Sequence, residues 1–379
     1  MTSPSARTNL AARHRRKLEC VAKGTRNRPP GNPFRRLVTR IHYHDASNES
    51  EECDMPTQTA DTGEFMTLAQ RFRPELLAHC YRMLGSPEEA EDLVQETYLQ
   101  AWRAYERFEG RSSLRTWLYR IATNACLRAL EQRGRRPLPS GLSGPLTDLA
   151  RYPTPAAPLT RWLEPLPDHL LAGDPAGIVE TRGGVRLALV AAMQLLPARQ
   201  RAVLILREVI QFSAAETALA LGISVAAVNS ALQRARAALA TAGVDLEQVD
   251  EPSEPQRRAL LDRYVDALTS ADFAALHTVL HDDAVLEMPP QPDWFAGRDQ
   301  IVRFLATLGI EAGTLRMVRT SANGQAAVAE YRRGADGRFH AYSLQVLGMS
   351  GGGISHIVAF CGAGGLPRFD LPPVLGVTS

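Results

Sequence analysis

Two consecutive helical patterns of opposite charge occupy residues 86–136, and they constrain the fold more than any other part of the chain. The first opens with Ser86-Pro87-Glu88-Glu89, which combines a serine N-cap, a proline at the first helical position and a glutamate placed for a capping box. Its predicted inner stripe consists of small residues: Ala90, Val94, Thr97 and Ala101. Its outer face is acidic with apolar inclusions: Asp92, Gln95, Glu96, Leu99 and Gln100.

The second helical pattern is strongly basic. Between Arg111 and Arg136 there are seven arginines and a single acid, Glu131. An aromatic ring, two guanidinium groups and an amide share one helical face, formed by Trp117, Arg120, Asn124 and Arg128. Rings stack on unpaired bases, arginines contact phosphates and amides read base edges. The face therefore favours single-stranded nucleic acid, with a core tryptophan beside a solvated basic face as the alternative.

The amino-acid sequence of residues 88–130 is similar to the sequences of a known family. The string EEAEDLVQETYLQAWRAYERFEGRSSLRTWLYRIATNACLRAL resembles region 2 of the extracytoplasmic-function group of sigma-70-type transcription initiation factors. The resemblance implies that the acidic helix docks on a coiled coil of core RNA polymerase through Asp92, Gln95, Glu96, Leu99 and Gln100. It also implies that the basic helix and the loop before it melt and capture the minus-ten promoter strand. The residues implied in that contact are Arg111, Ser112, Ser113, Arg115, Trp117, Arg120, Asn124 and Arg128.

Length and cysteine usage limit the remaining possibilities. A chain of 379 residues predicts two or three domains. Its five cysteines form neither a CxxC pair nor a Cys/His cluster, which argues against a disulfide framework or a zinc site and fits a reducing cytoplasm. There is no run of eighteen apolar residues, so no membrane span is expected. No metal or cofactor is predicted.

Residues 1–64 are predicted to be a disordered basic extension. The first fifty residues contain eleven Lys and Arg against three acids and lack the apolar core of an export signal. Met55 and Met66 both precede the folded part, whose first amphipathic helix is predicted from Thr67 to Leu84. Two interpretations stay open: a basic arm that contacts DNA nonspecifically, or a true start codon further downstream.

Residues 137–184 are predicted to be a largely extended linker because nine prolines interrupt them. Within it, Trp162-Leu163-Glu164-Pro165-Leu166-Pro167 concentrates apolar side chains that a pure spacer does not need. Related proteins with a SnoaL-like tail carry a similar Trp-Leu-Pro-Glu-Pro element. We therefore expect Trp162, Leu163 and Pro165 to form a regulatory anchor that inserts into the C-terminal domain or lies in the RNA exit path.

Residues 185–243 form a second helical block that ends in a helix-turn-helix pattern. Ser213 and Glu216 fit a capping box, Gly222 fits the turn, and Ser224 is placed to cap the last helix. Small residues lead on that helix and arginines follow, which suits entry into the major groove. The block resembles sigma region 4, which implies minus-thirty-five contacts by Ser224, Ala226, Ala227, Asn229, Ser230, Gln233, Arg234 and Arg236.

A hinge at residues 244–256 leads into a C-terminal domain at residues 257–379. Helical patterns come first, at residues 257–268, 271–280 and 299–308. Alternating patterns follow at residues 316–322, 325–332, 339–349 and 354–360 and predict an antiparallel sheet, which indicates an α+β fold. The string ADFAALHTVLHDDAVLEMPPQPDWFAGRDQIVRFL resembles the SnoaL-like cone fold, whose sheet and helices enclose a pocket. By strand parity, the side chains expected to face that pocket are Glu287, Trp294, His340, Tyr342 and His356.

Together these patterns predict a multidomain protein with two all-α sigma domains and a C-terminal α+β cone. The resemblance implies a sigma factor that is not an enzyme and that binds the beta-prime and beta subunits of core RNA polymerase together with promoter DNA. The cone is then a fused regulator with a possible small-molecule ligand. One alternative remains open: a DNA-binding regulator whose last domain is an active cyclase or isomerase, with turnover that depends on His340 and Glu287. A simple helix-turn-helix repressor would not explain the acidic docking helix or the aromatic strand-holding face.

Overall fold

The first helical block consists of α1 to α4, and each helix follows an amphipathic pattern in the sequence. They are α1 (Thr59–Gln70), α2 (Arg73–Leu84), α3 (Pro87–Ala104) and α4 (Leu114–Arg133). The computed structural model describes residues 59–108, 110, 112–155, 160–171, 185–241 and 252–376. Contacts divide the chain into Met1–Glu64 and Phe65–Ser379, and the features below belong to the second unit. The predicted N-terminal extension lies outside the described residues apart from the first turns of α1.

Two local predictions in this block are wrong. The sequence predicted one helix from Thr67 to Leu84, but α1 and α2 are separate, because Pro74 in the first turn of α2 has no N–H to continue a hydrogen-bonded helix. The capping box at the start of α3 does not form either. Ser86 is the N-cap, but its hydroxyl makes no cap bond and donates to Glu164 Oε2 at 3.1 Å.

The second helical block contains the predicted helix-turn-helix. Its helices are α5 (Leu187–Gln194), α6 (Ala198–Leu204), which continues as a π-helical turn (Ile205–Val209), α7 (Ala214–Leu221) and α8 (Val225–Thr241). The capping box of Ser213 and Glu216 is formed, and Gly222 ends α7 with a φ of 64° that favours glycine. The axes of α7 and α8 differ by 100°. Within the described ranges no single helix is long and apolar enough to cross a membrane, and only α7 with α8, as a bent pair, satisfies length and composition.

The C-terminal domain packs three helices on one sheet. Its elements are α9 (Glu254–Thr269), α10 (Phe273–Val279), β1 (Leu280–Glu287), β2 (Trp294–Ala296), α11 (Arg298–Thr307), β3 (Leu315–Ala322), β4 (Gln325–Arg333), β5 (Phe339–Ser350), β6 (Gly353–Cys361) and β7 (Val374–Leu375). The strand order is β2-β1-β6-β5-β4-β3, with β7 on β5.

The sheet is mixed, so the expectation of an antiparallel sheet is corrected. Strand β1 pairs parallel with β6, whereas the ladders from β3 through β6 are antiparallel. The sequence reading missed β1 because two exposed acids, Asp282 and Asp283, interrupt its apolar alternation. The four later strands lie close to their predicted limits.

The two faces of the sheet have different partners. Val328, Gln345 and Leu347 point to the inner side, where they share an apolar cluster or hydrogen bonds with α9. Ala327 and Val346 point the other way and belong to the same continuous apolar cluster as the buried residues of α2, α4, α5, α6 and α8. The outer face of the sheet is thus part of the core that the helical blocks share, because successive strand residues face opposite sides.

The linker is not a free extended spacer. It forms short 3₁₀ turns at Pro139–Gly141, Leu149–Arg151 and Asp168–Leu171, and it makes hydrogen bonds to the helices and to the cone. Pro167 forms an isolated antiparallel bridge with Ala322 at the end of β3. Within residues 137–155 and 160–171 the linker forms no long helix, as its prolines predict, but its composition gave no sign of these contacts.

Candidate nucleic-acid interface

Helix α3 presents the predicted acidic surface. Asp92, Gln95, Glu96 and Leu99 are exposed, and Gln100 is half-buried and donates to Glu96 Oε1 at 2.6 Å. The opposite side of the helix buries Ala90, Leu93, Val94, Thr97 and Ala101. The predicted division of this helix into an inner and an outer face agrees with the structure.

An aromatic residue that the sequence analysis overlooked extends this surface. The exposed fractions of Leu99 and Trp102 are 47% and 46%. They lie three positions apart, so they are neighbours on the helix. Large apolar side chains so exposed are typical of a protein-binding surface. The signal was available, because position 102 continues the outer stripe through Leu99 by one further helical step.

The first turns of α4 carry the predicted strand-capturing residues. Ser113 is the N-cap and accepts a hydrogen bond from Thr116 N at 3.1 Å. Ser112 is half-buried, and Arg111 lies outside the described residues. Trp117 is half-buried and packs on Phe108 with ring centroids 4.8 Å apart. Trp117 is therefore packed on the protein in part and exposed in part, and its stacking on a promoter base stays a prediction.

Arg115 is fully engaged within the protein. Its Nε donates to Glu75 Oε2 at 2.8 Å, and its guanidinium lies 5.1 Å and 5.5 Å from the ring centroids of Tyr119 and Phe212. Burial alone would lower the pKa of Arg115, but the hydrogen bond and charge of Glu75 outweigh it and raise the pKa. Because Phe212 precedes α7, this contact joins the two helical blocks.

Of the three remaining residues of the α4 face, Asn124 contacts the second helical block directly. Arg120 and Arg128 are exposed, and Arg128 pairs with Glu96 at 3.8 Å. Asn124 Nδ2 donates to Arg120 O at 2.8 Å and to Ala220 O of α7 at 3.4 Å. The side chain predicted to read a base is thus directed at a backbone carbonyl of the other block.

Helix α8 has the features of a recognition helix. Ser224 accepts a hydrogen bond from Ala227 N at 3.2 Å and caps the helix. The residues predicted to contact DNA are all exposed: Ser224, Ala226, Ala227, Asn229, Ser230, Gln233, Arg234 and Arg236. Arg236 pairs with Glu208 at 2.7 Å. The predicted inner residues Val228, Leu232, Ala235 and Leu239 are buried.

The apolar side chain of the linker anchor does not insert into the C-terminal domain, which was one of the two places expected for it. Leu163 is fully buried against Gly85, where an added Cβ would lie 2.8 Å from Leu163 Cδ1 and where the φ of 73° also favours glycine. Leu163 therefore inserts into the first helical block and not into the C-terminal domain. Trp162 and Pro165 are half-buried, and the Trp162 carbonyl accepts from Arg136 at 3.0 Å.

Glu164 is the charged centre of this anchor. Its carboxylate accepts hydrogen bonds from Ser86 Oγ at 3.1 Å and from Arg136 at 2.9 Å, and it pairs with Arg368 at 3.4 Å. Arg368, near the C-terminus, also pairs with Glu88 in the first turn of α3. The linker, the first helical block and the C-terminal domain therefore share one ion-pair network.

A buried asparagine completes the connection, and we call its hydrogen bonds the Asn323 clasp. Asn323 lies in the β3–β4 hairpin with a φ of 58° and is fully buried. Its Nδ2 donates to Tyr81 Oη at 2.8 Å and to Val185 O at 2.7 Å, while its Oδ1 accepts from Leu166 N at 2.9 Å. One amide thus bonds the first helical block, the start of the second and the linker.

The predicted pocket residues of the cone do not converge. Glu287 and His356 pair at 2.8 Å, but Glu287 is in register with Val358 and Val358 with Val346, which places them on the outer face of the sheet. The Glu287 carboxylate also accepts from Ser140 N of the linker at 2.8 Å. Strand parity failed here because the sheet is mixed and the missed strand β1 sets the facing direction.

The other three predicted residues have separate roles. The indole of Trp294 donates to a linker carbonyl at 2.8 Å. His340 is exposed and bonds Asp336 at 3.0 Å. Tyr342 lies inside the cone, where the Arg332 guanidinium stands 3.4 Å from its ring centroid.

The interior of the cone contains a polar network that the sequence did not reveal. The carboxylate of Glu330 accepts from Ser343 Oγ and Gln345 Nε2, each at 2.8 Å, and from Arg332 Nε at 2.7 Å. Gln345 Oε1 accepts from Tyr264 of α9 at 2.6 Å. Each polar group in this network bonds a neighbour, as burial requires.

The linker also reaches the cone interior through Tyr152. Its ring centroid lies 4.9 Å from that of Phe304 and 6.1 Å from that of Phe295, and burial raises the pKa of the phenol. Thr154 N donates to Asp293 Oδ2 at 2.6 Å beside it. Within the described residues, no group of three or more His, Cys, Asp or Glu side chains is arranged to hold a metal ion.

Comparison with known proteins connects these surfaces. Family models match Sigma-70 region 2 at residues 68–136, Sigma-70 region 4 at residues 186–239 and a SnoaL-like domain at residues 261–356. The ECF RNA polymerase sigma factor SigG of Mycobacterium tuberculosis (strain H37Rv) is 47% identical over 352 residues, or 90% of this chain and 93% of SigG. The chain belongs to the ECF RNA polymerase sigma factors.

One further relative and one solved structure are also similar to this chain. The ECF sigma factor SigW of Bacillus subtilis (strain 168) is 28% identical over 182 residues, which cover 47% of this sigma factor and 88% of SigW. The crystal structure of the M. tuberculosis ECF sigma factor SigJ aligns with a TM-score of 0.56 and 22% identity over 81% of this sigma factor and 99% of SigJ. SigJ therefore has the same fold.

The family assignment confirms the predicted fold class and the main functional prediction. Sigma factors bind core RNA polymerase and promoter DNA, and they are not enzymes. The first helical block of this sigma factor corresponds to region 2, the second to region 4, and the cone to the SnoaL-like domain.

Proposed function

We propose that this sigma factor directs promoter-specific initiation from a closed conformation that its SnoaL-like domain stabilises. Region 2 captures the minus-ten strand through α4, and region 4 reads the minus-thirty-five element through α8. The Asn323 clasp is the observation that carries the regulatory part, because a single buried amide bonds region 2, the linker and region 4. Opening of the protein therefore requires that these bonds be broken.

The outer face of α3 is the proposed docking surface for the beta-prime subunit. Asp92, Gln95, Glu96, Leu99 and Gln100 lie along it, and the exposed Trp102 extends it. An apolar pair surrounded by charged and amide side chains has the composition of a protein interface: the two apolar side chains supply buried area and the polar rim supplies orientation. Region 4 is the proposed contact for the beta subunit.

The closed conformation limits access to the proposed minus-ten surface. Asn124 bonds a region 4 carbonyl, and Arg115 is held between Glu75 and Phe212. A promoter strand that is to use these two side chains must displace region 4 first. The exposed face of α8 needs no such change, so the two promoter elements differ in accessibility before polymerase binds.

In vitro transcription with core RNA polymerase tests the proposal. The full chain should support initiation that core enzyme alone does not, and a version truncated after Gly243 should be more active. Because truncation also removes part of the shared core, a charge reversal gives a milder test. Arg368→Glu breaks the pairs with Glu88 and Glu164 and should raise activity, and the added change Glu88→Arg should lower it again.

The proposal would be contradicted if the full chain, the truncated version and Arg368→Glu all failed to support initiation. Equal activity of the full chain, the truncated version and Arg368→Glu would leave the sigma function in place but remove the regulatory role. A catalytic cone is the rival function, and its two proposed residues, Glu287 and His340, bond different partners, His356 and Asp336. No observation on the described residues favours that rival.

A further inference from the structure

An exposed apolar side chain opens the recognition helix of region 4. Val225 is the first residue of α8, directly after the capping residue Ser224, and its exposed fraction is 44%. It belongs to neither of the two apolar clusters that form the core of the protein. Packing of the core therefore does not account for a valine at this position.

The local stability of α8 does not account for Val225 either. A β-branched side chain loses rotamer freedom in a helix, so valine is a weaker helix former than the alanines that follow it, Ala226 and Ala227. The cap is already supplied by Ser224, which accepts a hydrogen bond from Ala227 N at 3.2 Å. Contact of the isopropyl group with water is unfavourable. A binding partner that covers Val225 would remove this contact.

The major groove of promoter DNA is the partner that this part of α8 meets in the proposed function. In a helix-turn-helix, the N-terminal residues of the second helix contact base edges. The base edges in this groove present hydrogen-bond donors, acceptors and one kind of apolar group, the C5 methyl of thymine. The side chain of Val225 neither donates nor accepts a hydrogen bond. The thymine methyl is therefore the group in the groove that it complements.

Asn229, a second side chain on the same face, fits the same kind of base pair. It lies four positions after Val225, so the two side chains are neighbours on the surface of α8. Asn229 is exposed, and its amide bonds no other residue of the described part of the chain. Asparagine binds adenine through paired hydrogen bonds to N6 and N7, which lie in the major groove. An A·T pair thus presents a partner for each of the two side chains.

The spacing of the two side chains agrees with the spacing of the bases. The Cβ atoms of helical residues four positions apart lie about 5–6 Å from each other, and stacked base pairs are about 3.4 Å apart. Val225 and Asn229 can therefore reach the same base pair or two adjacent ones. Both side chains are exposed in the closed conformation, so this contact requires no rearrangement of α8.

We propose that Val225 and Asn229 together read an A·T pair of the minus-thirty-five element. The methyl groups of Val225 contact the C5 methyl of the thymine, and the amide of Asn229 bonds the adenine of the same or the next base pair. Val225 is then a residue that determines promoter specificity. The inference rests on the proposed contact of region 4 with the minus-thirty-five element and deepens it.

Holoenzyme assembled from the full chain and core RNA polymerase tests the proposal. Selection by this holoenzyme from a DNA library that is randomised at the minus-thirty-five element supplies the promoter. Each thymine of the selected element is then replaced, one at a time, by deoxyuridine, which removes only the C5 methyl. At one position the replacement should weaken holoenzyme binding about fourfold, the loss expected for one buried methyl group.

Variants assign that methyl contact to Val225. Val225→Ala should remove the difference between thymine and uracil at that position, and Asn229→Ala should lower the preference for adenine at the same or the next base pair. Leu195→Ala is the matched control, because Leu195 is an exposed apolar residue of region 4 at the end of α5. It should keep the wild-type ratio of the two affinities. Val225 is exposed, so its alanine variant should have the circular dichroism spectrum of the wild type.

The outcomes separate this inference from the function on which it rests. The inference is overturned if no uracil replacement weakens binding, or if Val225→Ala keeps the wild-type ratio of thymine to uracil affinity. In both cases an enriched minus-thirty-five sequence leaves the proposed role of region 4 in place. If the holoenzyme initiates RNA chains but enriches no sequence there, promoter reading by α8 is wrong and the inference is overturned with it.

Discussion

Asn323 Nδ2 donates a hydrogen bond to Tyr81 Oη at 2.8 Å, and that hydroxyl donates in turn to Glu164 O at 2.8 Å. The two residues are 242 positions apart in the sequence, and both side chains are fully buried. Burial raises the pKa of Tyr81, so it remains a neutral donor. This short chain of bonds runs from the cone through region 2 to the linker, and it makes the three segments depend on one another.

Removal of the Asn323 amide should destabilise the protein by about 3 kcal/mol, since Leu166 N and Val185 O are left buried without this partner and each such group costs about 1–3 kcal/mol. Asn323→Gly keeps the φ of 58° accessible and tests the amide alone. Asn323→Ala should cost about 1 kcal/mol more because alanine is strained in that conformation. Urea unfolding of both variants measures the difference, and a glycine variant as stable as the wild type would contradict the role of the amide.

Polymerase binding should depend on the apolar pair of α3. Replacement of Leu99 and Trp102 by alanine removes exposed side chains, so the fold should be unaffected, whereas affinity for core RNA polymerase should fall by about 2 kcal/mol or more, roughly thirtyfold. Fluorescence anisotropy with labelled sigma factor measures this. Leu142→Ala is the control, because Leu142 is 47% exposed but lies in the linker. Equal losses for the control and the double variant would remove α3 from the interface.

The packing of region 4 on α4 should restrain binding of the minus-ten strand. Phe212 is buried against Tyr119 with ring centroids 5.4 Å apart, and the Arg115 guanidinium lies over it. Phe212→Ala should lower stability by about 3 kcal/mol. It should also raise affinity for a single-stranded minus-ten oligonucleotide several-fold, because the binding-competent open form becomes more populated.

Phe212→Leu, which retains most of the apolar contact, is the control for that measurement. It should change the affinity less than the alanine variant does when both are assayed at one salt concentration. If weaker packing leaves oligonucleotide affinity unchanged, the contact of Arg115 and Asn124 with region 4 does not limit access.

His79 should make the stability of region 2 depend on pH. Its Nε2 lies 2.9 Å from Thr123 Oγ1, whose proton is donated to Tyr119 O, so Nε2 carries the imidazole proton and Nδ1 is bare and buried. Burial, with a contribution from the Arg82 charge, lowers the pKa of His79 from 6.5 to about 3. Below about pH 6.5 the unfolded chain takes up a proton here and the folded chain does not, so stability falls by about 1.4 kcal/mol per pH unit down to about pH 3.

His79→Phe, which cannot titrate, isolates this contribution. As the pH falls from 6.5 towards 4, the free energy of unfolding of the wild type should decrease steadily relative to that of the variant. Urea titrations at several pH values give that difference. Parallel pH profiles for the two proteins would show that the imidazole is not held neutral.

The sequence predicted local structure where local chemistry decides it. Ser213 and Glu216 form their capping box, and Ser224 caps the recognition helix, because these bonds join residues three positions apart. Ser86 had the same motif, but its hydroxyl bonds Glu164, 78 positions away. A capping pattern is therefore reliable only when no distant group competes for the same hydroxyl.

Strand positions followed from alternation, but strand direction did not. The pattern located β3 to β6 within about a residue and missed β1, whose acids interrupt the apolar positions. Because β1 pairs parallel with β6, Glu287 and His356 face the shared core side and not the pocket. Which face a strand residue occupies depends on pairing with a distant strand, and one sequence does not contain that information.

What the amino-acid sequence determined by itself was the identity of the parts: an acidic helix, a basic aromatic helix, a helix-turn-helix and a cone, each encoded by contacts within a few dozen residues. What only the tertiary structure decided was how those parts restrain one another. Leu163 occupies a groove at Gly85, and Asn323 bonds Tyr81, Leu166 and Val185. A lone asparagine before a glycine predicts a hairpin turn, but its partners are set by long-range packing, since the free energy of its hydrogen bonds depends on burial by segments that are remote in the chain.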